Sequence, residues 1–237
     1  MKALIQKEIH HFLNNPYGFI ILVLFGVFAN FLFIKDVFVV GVVSMKQFFT
    51  FMPWIFMIFI PALSMRSLSE ERRANTLEVL RTLPLSEAKI VISKFVAIMI
   101  MIVIGLVLTL GLPISLNMIA GSTAGLYGPE IMAGYGGILL YAAMAVSLSM
   151  FFSGLTSNQV VALLLSSASL FVLNVIGTDF LGSSLPKFAQ DALLVISPLN
   201  QMNTLVNGVI DSRPLFFFCS SVAIFLFLTI ADLEKRS

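Results

Sequence analysis

The sequence predicts an all-α integral membrane protein with six transmembrane helices, and three observations carry that prediction. Of its 237 residues, 59% are hydrophobic and only 11% are charged. The apolar residues come in uncharged blocks near or above about 18 residues, enough for a helix to cross a hydrocarbon layer ~30 Å thick while making its own backbone hydrogen bonds. The charges are gathered rather than scattered: "SLSEERRANTLEVLRTLPLSEAKIVISKF", residues 67–95, holds a large share of them between two apolar blocks.

The first span is expected over 17–34, between Lys7-Glu8 and Lys35-Asp36, and the second over 47–65, where Pro53 and Pro61 should bend it. The third covers 96–118, the fourth 132–152, the fifth 160–176 and the sixth 215–230. The whole of 1–237 reads as one transmembrane domain. The first block is longer than the roughly 7 to 15 residues of a signal peptide's apolar region, and no small-residue cleavage pattern follows it, so it should remain as an anchor. The single cysteine, Cys219, lies in the sixth span, where it reads as a small packing residue.

An even number of spans puts both termini on one side, and lysine and arginine choose that side. Ten of these cations, Arg66, Arg72, Arg73, Arg81, Lys89 and Lys94 among them, fall at the termini or in the loops after spans two and four; only Lys35, Lys46, Lys187 and Arg213 fall opposite. The bias places the termini and the charged segment in the cytoplasm, at a cell inner membrane. Acidic residues contribute little to orientation, so Glu70, Glu71, Glu78 and Glu87 ask for another reason.

Local chemistry supplies one. Ser69 can cap a helix with Glu70 and Glu71 in its first turn and Arg81 in its last, complementing the helix dipole. Thr76, Val79, Leu80 and Leu83 fall at i, i+3, i+4 and i+7, one mostly apolar stripe. Pro84 ends that helix, and Ser86 with Glu87 can cap a second that runs through Ile90 and Lys94 into the third span. An amphipathic helix so placed suits either lipid headgroups or a groove on a soluble partner. Its glutamates favour the partner, because anionic leaflets attract basic faces. On the opposite side, 177–213 is long and mainly apolar, with short helices expected over 186–196 and 199–210 around a Ser197-Pro198 break. Glu130, Asp179, Asp191 and Asp211 fall on that side as solvated loop residues.

No G-x-x-x-x-G-K-[S/T] occurs, so the chain lacks that means of cradling nucleotide phosphates. His10 and His11 are adjacent rather than at metal-binding helical spacing and read as interfacial residues. The spans hold essentially no ionisable group, which disfavours an intramembrane protease, a transferase or an ion-driven carrier. Ser166, Ser167 and Ser169, with Ala162 and Ala168, read as a close-packing stripe.

"EERRANTLEVLRTLPLSEAKIVISK", residues 70–94, resembles the segment between spans two and three of ABC-2 type transporter permeases, especially the gliding-motility and nitrous-oxide-reductase-maturation branch. Glu71, Arg72, Thr76, Leu77, Glu78, Leu80, Thr82, Pro84, Ile90 and Lys94 meet the family pattern; Asn75 and Ser93 stand where it usually has glycine. "KEIHHFLNNPYGFIILVLFGVFANFLF", residues 7–33, is similar to that branch's N-terminal elbow helix and first span. "SGLTSNQVVA", residues 153–162, is similar to its tight turn between spans four and five, and "SPLNQMNTLVNGVIDSRPLFF", residues 197–217, to the segment before its last span.

The resemblance implies a permease subunit of an ABC exporter without a nucleotide site of its own. It implies pairing with a second permease copy or homologue, and docking of ATP-binding subunits that carry ATP and Mg²⁺. No cofactor is expected on this chain. Its surroundings would be the lipid membrane and, at the envelope side, an auxiliary subunit, with no nucleic acid. Glu71, Arg72, Thr76, Leu77, Glu78, Leu80, Leu83 and Pro84 would form the ATPase-docking coupling helix within 69–94. The external helices would dip back into the outer leaflet and gate the pathway near Pro198, Asn207, Gly208 and Asp211. An apolar pathway suits a lipid-like, glycan or other amphiphilic substrate. Two other readings stay open: ATP-driven force transmission in an envelope complex without solute transport, and a six-span scaffold or channel without an ATPase.

Overall fold

A computed structural model describes residues 1–40, 45–74, 86–120, 128–176, 178, 187–206 and 212–235, with the side chains of 35–40, 116–120 and 188–192 left aside. Among the described residues every regular element is a helix: α1 (Lys2–Asn14), α2 (Pro16–Val40), α3 (Lys46–Ser64), α4 (Ser69–Arg73), α5 (Glu87–Val107), α6 (Gly111–Ala120), α7 (Gly128–Leu155), α8 (Gln159–Ile176), α9 (Lys187–Ile196), α10 (Pro198–Val206) and α11 (Ser212–Lys235). Six helices are long and apolar enough to cross a membrane, in the expected order.

The helices overrun the expected spans because hydropathy marks the lipid-facing stretch while backbone hydrogen bonding carries a helix on into water. α3 runs through Pro53 and Pro61 without a break. The third span does break. Between α5 and α6 the amides of Thr109, Leu110 and Leu112 bond carbonyls three residues back, a tighter turn than the α-helix. Pro113 has no N–H to offer the Thr109 carbonyl, which takes the Leu112 amide instead at 3.0 Å.

α7 is the centre of the bundle: 67% of its most apolar window is buried, against 22% for α8 and 17% for α11. It packs against α3, α5, α8, α10 and α11. A chain of rings crosses the core from α2 to α11: Phe25 stacks on Phe56, Phe56 on Tyr141, and Tyr141 meets Phe218 edge-on, with centroids 5.5, 6.4 and 6.4 Å apart. One polar node lies within it. Tyr141 donates to Asn174 Oδ1 at 3.0 Å, and Asn174 Nδ2 donates to the Pro53 carbonyl at 3.3 Å, joining α7, α8 and α3 through groups with no exposure to speak of.

The expected helices of the 177–213 region occur as α9 and α10, described through Val206. α10 sinks into the bundle, burying Pro198, Leu199, Met202, Leu205 and Val206. It fits because α7 carries Gly137 there: a Cβ on that residue would sit 3.0 Å from Met202 Sδ and 3.3 Å from Leu205. Cys219 faces outward from α11 rather than packing inside, since Phe218 takes the core position beside it.

Candidate functional site

Four sets of contacts gather the N-terminal helix, the start of the 69–94 segment and the C-terminal helix at one end of the bundle. The expected cap is the first to be corrected. Ser69 does not cap α4; its hydroxyl bonds back to the Met65 carbonyl, as serine commonly does inside a helix. The cap comes from α7. Ser153 Oγ accepts the amides of Leu68 and Ser69 at 3.2 and 3.1 Å and donates to the Met65 carbonyl at 2.9 Å, with the Ser67 hydroxyl a further, longer donor at 3.5 Å. Ser86 does occupy the N-cap position of α5, its carbonyl accepting from Lys89 and Ile90, but its side chain makes no capping bond.

The second set is an ion triad. Lys94 on α5 has a side chain only 5% exposed, with Nζ 2.8 Å from Glu71 Oε1 on α4 and 3.2 Å from Glu8 Oε1 on α1. Two carboxylates around one ammonium offset the cost of burying it, and each lies in a charge-assisted bond. The third set is Arg72 Nη2 to Asp232 Oδ2 on α11, at 3.4 Å. The fourth joins α2 to α3: the Tyr17 hydroxyl donates to the Ala62 carbonyl, and the Arg66 guanidinium lies over the Tyr17 ring at 4.0 Å from its centroid. Beside these groups opens a cleft of about 230 Å³, lined by residues of α1, the start of α2, the α3–α4 junction and Lys94.

Of the residues expected in the coupling helix, Glu71 and Arg72 are therefore tied into the chain's own framework, and Thr76, Leu77, Glu78, Leu80, Leu83 and Pro84 lie outside the described residues. At the other end Pro198 is buried as the first residue of α10, while Asn207, Gly208 and Asp211 lie outside the described residues. His10 and His11 are exposed on α1.

Lys94, Glu8, Ser153 and Asp232 were not singled out for these roles by the sequence. Two of them carry a readable signal. Glu8 sits with Leu4, Ile5, Ile9 and Phe12 on the inward stripe of α1, and Lys94 is followed at once by the apolar run of the third span; a charge in such a setting needs a partner. Ser153 and Asp232 find partners 84 and 160 residues away, and nothing in their local sequence announces it.

No curated protein matches the chain significantly. The profile of the family described as ABC-2 family transporter protein matches residues 2–236, nearly the whole chain. With six membrane-crossing helices and a charged segment braced at one end of them, the chain belongs to that family and is a multi-pass permease subunit of an ABC transporter, a family in which a separate subunit hydrolyses ATP.

Proposed function

We propose that the chain is one of two paired permeases in an exporter of the gliding-motility and nitrous-oxide-reductase-maturation branch, moving a lipid-like, glycan or other amphiphilic substrate out of the cell. The observation that carries this reading is the bracing of the 69–94 segment. Its first turn is bonded to α7 through Ser153, to α11 through Asp232, and through Lys94 to α5 and α1. A force applied by a soluble motor to the residues that follow would reach four helices directly. A headgroup-seeking surface helix has no use for such bracing.

In this reading the braced end faces the cytoplasm, in keeping with ten cations on that side against four opposite. Glu71 and Arg72 hold the base of the coupling helix, and Thr76, Leu77, Glu78, Leu80, Leu83 and Pro84 meet the ATPase. ATP and Mg²⁺ belong to that partner. The buried α10, with Pro198 at its start and Asn207, Gly208 and Asp211 beyond it, closes the outer end of the pathway.

Leu80→Asp tests the docking assignment. A charge forced into a desolvated contact should weaken ATPase capture by about 2 to 4 kcal/mol, whereas Glu78→Ala, at a wet rim, should cost under about 1 kcal/mol. Pull-down of the ATPase and substrate-dependent ATP turnover in membranes read both out. Full capture and turnover by Leu80→Asp at wild-type expression would remove the segment from the docking role.

A further inference from the structure

We propose that the cleft beside Tyr17 is a resident site for the headgroup of an aminophospholipid, a phosphodiester bearing a primary ammonium. Four observations lead there.

The first is depth. The cleft opens where α2 begins, at Pro16, and where α3 ends, at Ser64, so its mouth lies at the ends of two membrane-crossing helices, the level at which headgroups sit. The second is charge. Among its lining residues Lys7, Arg66 and Lys94 face Glu8, Glu70 and Glu71, three of each sign. Lys94 is already held between Glu8 and Glu71. Lys7, Arg66 and Glu70 remain, and among the described residues none of the three is in a salt bridge. They amount to two cations for a phosphodiester and one carboxylate for an ammonium.

The third is a donor left over. Arg66 Nε is buried, yet no described residue accepts its hydrogen, although the guanidinium is fixed over Tyr17. A buried N–H without an acceptor costs free energy, and a phosphate oxygen in the cleft would satisfy it. The fourth is continuity with an apolar strip. Past Tyr17 and Gly18, which line the cleft, α2 exposes Phe19, Ile20, Val23 and Val27 along its outer side, where acyl chains can lie.

The carboxylates decide among lipids. A glycerol headgroup brings the phosphate without the ammonium and offers Glu70 no counter-charge. A choline headgroup brings a cation with no N–H to donate, whereas a primary ammonium donates to a carboxylate directly. This inference needs only the membrane setting, not the docking role of the 69–94 segment.

The test uses the full chain in nanodiscs holding phosphatidylethanolamine, phosphatidylcholine and phosphatidylglycerol in equal parts, with the retained lipid read by native mass spectrometry after release into mild detergent. Phosphatidylethanolamine should be retained preferentially. Arg66→Gln should lower its retention about tenfold, the loss of one charge-assisted hydrogen bond, and Glu70→Gln should erode the preference over phosphatidylglycerol. Lys7→Gln, at an exposed residue whose loss leaves packing intact, should lower retention several-fold, and Lys89→Gln, an exposed cation outside the cleft, should leave it unchanged. Equal retention of the three lipids, or wild-type retention by both Arg66→Gln and Lys7→Gln, overturns the proposal. So does displacement of the lipid by soluble phosphoethanolamine at equal concentration, which would make a soluble phosphoester the ligand. Loss of ATPase capture in Arg66→Gln with lipid retention intact would make the cleft a protein contact and overturn it equally.

Discussion

Lys94 shows how one residue can bind distant parts of a chain through a charge that would otherwise be unwelcome. Its burial is tolerable because two carboxylates meet it at 2.8 and 3.2 Å, and each of those is itself mostly removed from solvent. Lys94→Met should therefore destabilise the protein by about 3 kcal/mol, chiefly by leaving Glu8 and Glu71 facing each other without their cation. Adding Glu8→Gln and Glu71→Gln should restore at least half of that loss. Unfolding by SDS in mixed micelles measures both variants; a triple variant no more stable than Lys94→Met would mean that the triad is not the source. Ser153 makes the complementary case with an uncharged group. Ser153→Ala strips two amides of their partner and takes one of two donated hydroxyls from the Met65 carbonyl, and should cost about 1 to 2 kcal/mol, whereas Ser69→Ala should change stability by under about 0.5 kcal/mol. The same unfolding assay ranks the pair, and the reverse order would return the capping role to Ser69.

At the level of elements, α10 is seated on α7 by fit, while its Asn200 and Gln201 amides donate to the Leu194 and Val195 carbonyls at the end of α9. It buries Met202 and Leu205 against Gly137 of α7, where even a methyl group would press on Met202 Sδ and Leu205. Gly137→Leu should drive α10 out of the bundle, at a cost of about 1 to 3 kcal/mol for the overpacking. Met202→Cys in that background should then react readily with a water-soluble maleimide, and Met202→Cys alone should react slowly; equal rates would mean that α10 is not seated by Gly137. The helices themselves were legible in the sequence, since uncharged blocks, the Ser197-Pro198 break and Ser86 before Glu87 each have a local physical cause. The α5–α6 break was less so: Pro113 marks it, but the surrounding apolar run hides a turn inside one continuous span. The candidate site was legible only in part. The charge cluster could be seen, yet the partners of Glu71 and Arg72 come from other helices, and which helices meet is a property of the packed bundle.

For the whole molecule the testable matters are orientation and the division of labour. In a Cys219→Ser background, needed because Cys219 is exposed on α11, cysteines placed at Ser86 and Ser237 should be labelled only after the membrane is permeabilised, and those at Ser122 and Ser184 in intact cells. Labelling of the Ser86 position from outside would invert the topology and remove the docking proposal with it. The purified chain should neither bind nor hydrolyse ATP, and turnover should appear when the partner ATPase is added. Robust hydrolysis by the chain alone, free of contaminating ATPase, would contradict this.

The brace at the base of the 69–94 segment also sets a timetable for biogenesis. Chains leave the ribosome N-terminus first. Glu8 and Glu71 are made before Lys94, so the buried cation finds its counter-charges waiting as the third span inserts. Ser153 arrives 84 residues after Ser69, and Asp232 160 residues after Arg72. Until the fourth span is in place, the amides of Leu68 and Ser69 lack the hydroxyl that receives them, and until the sixth is in place Arg72 lacks Asp232. In the proposed docking role, a motor subunit reading this segment would find its base finished only on a permease whose sixth span has been inserted, so that assembly of the transporter would itself select for inserted membrane subunits.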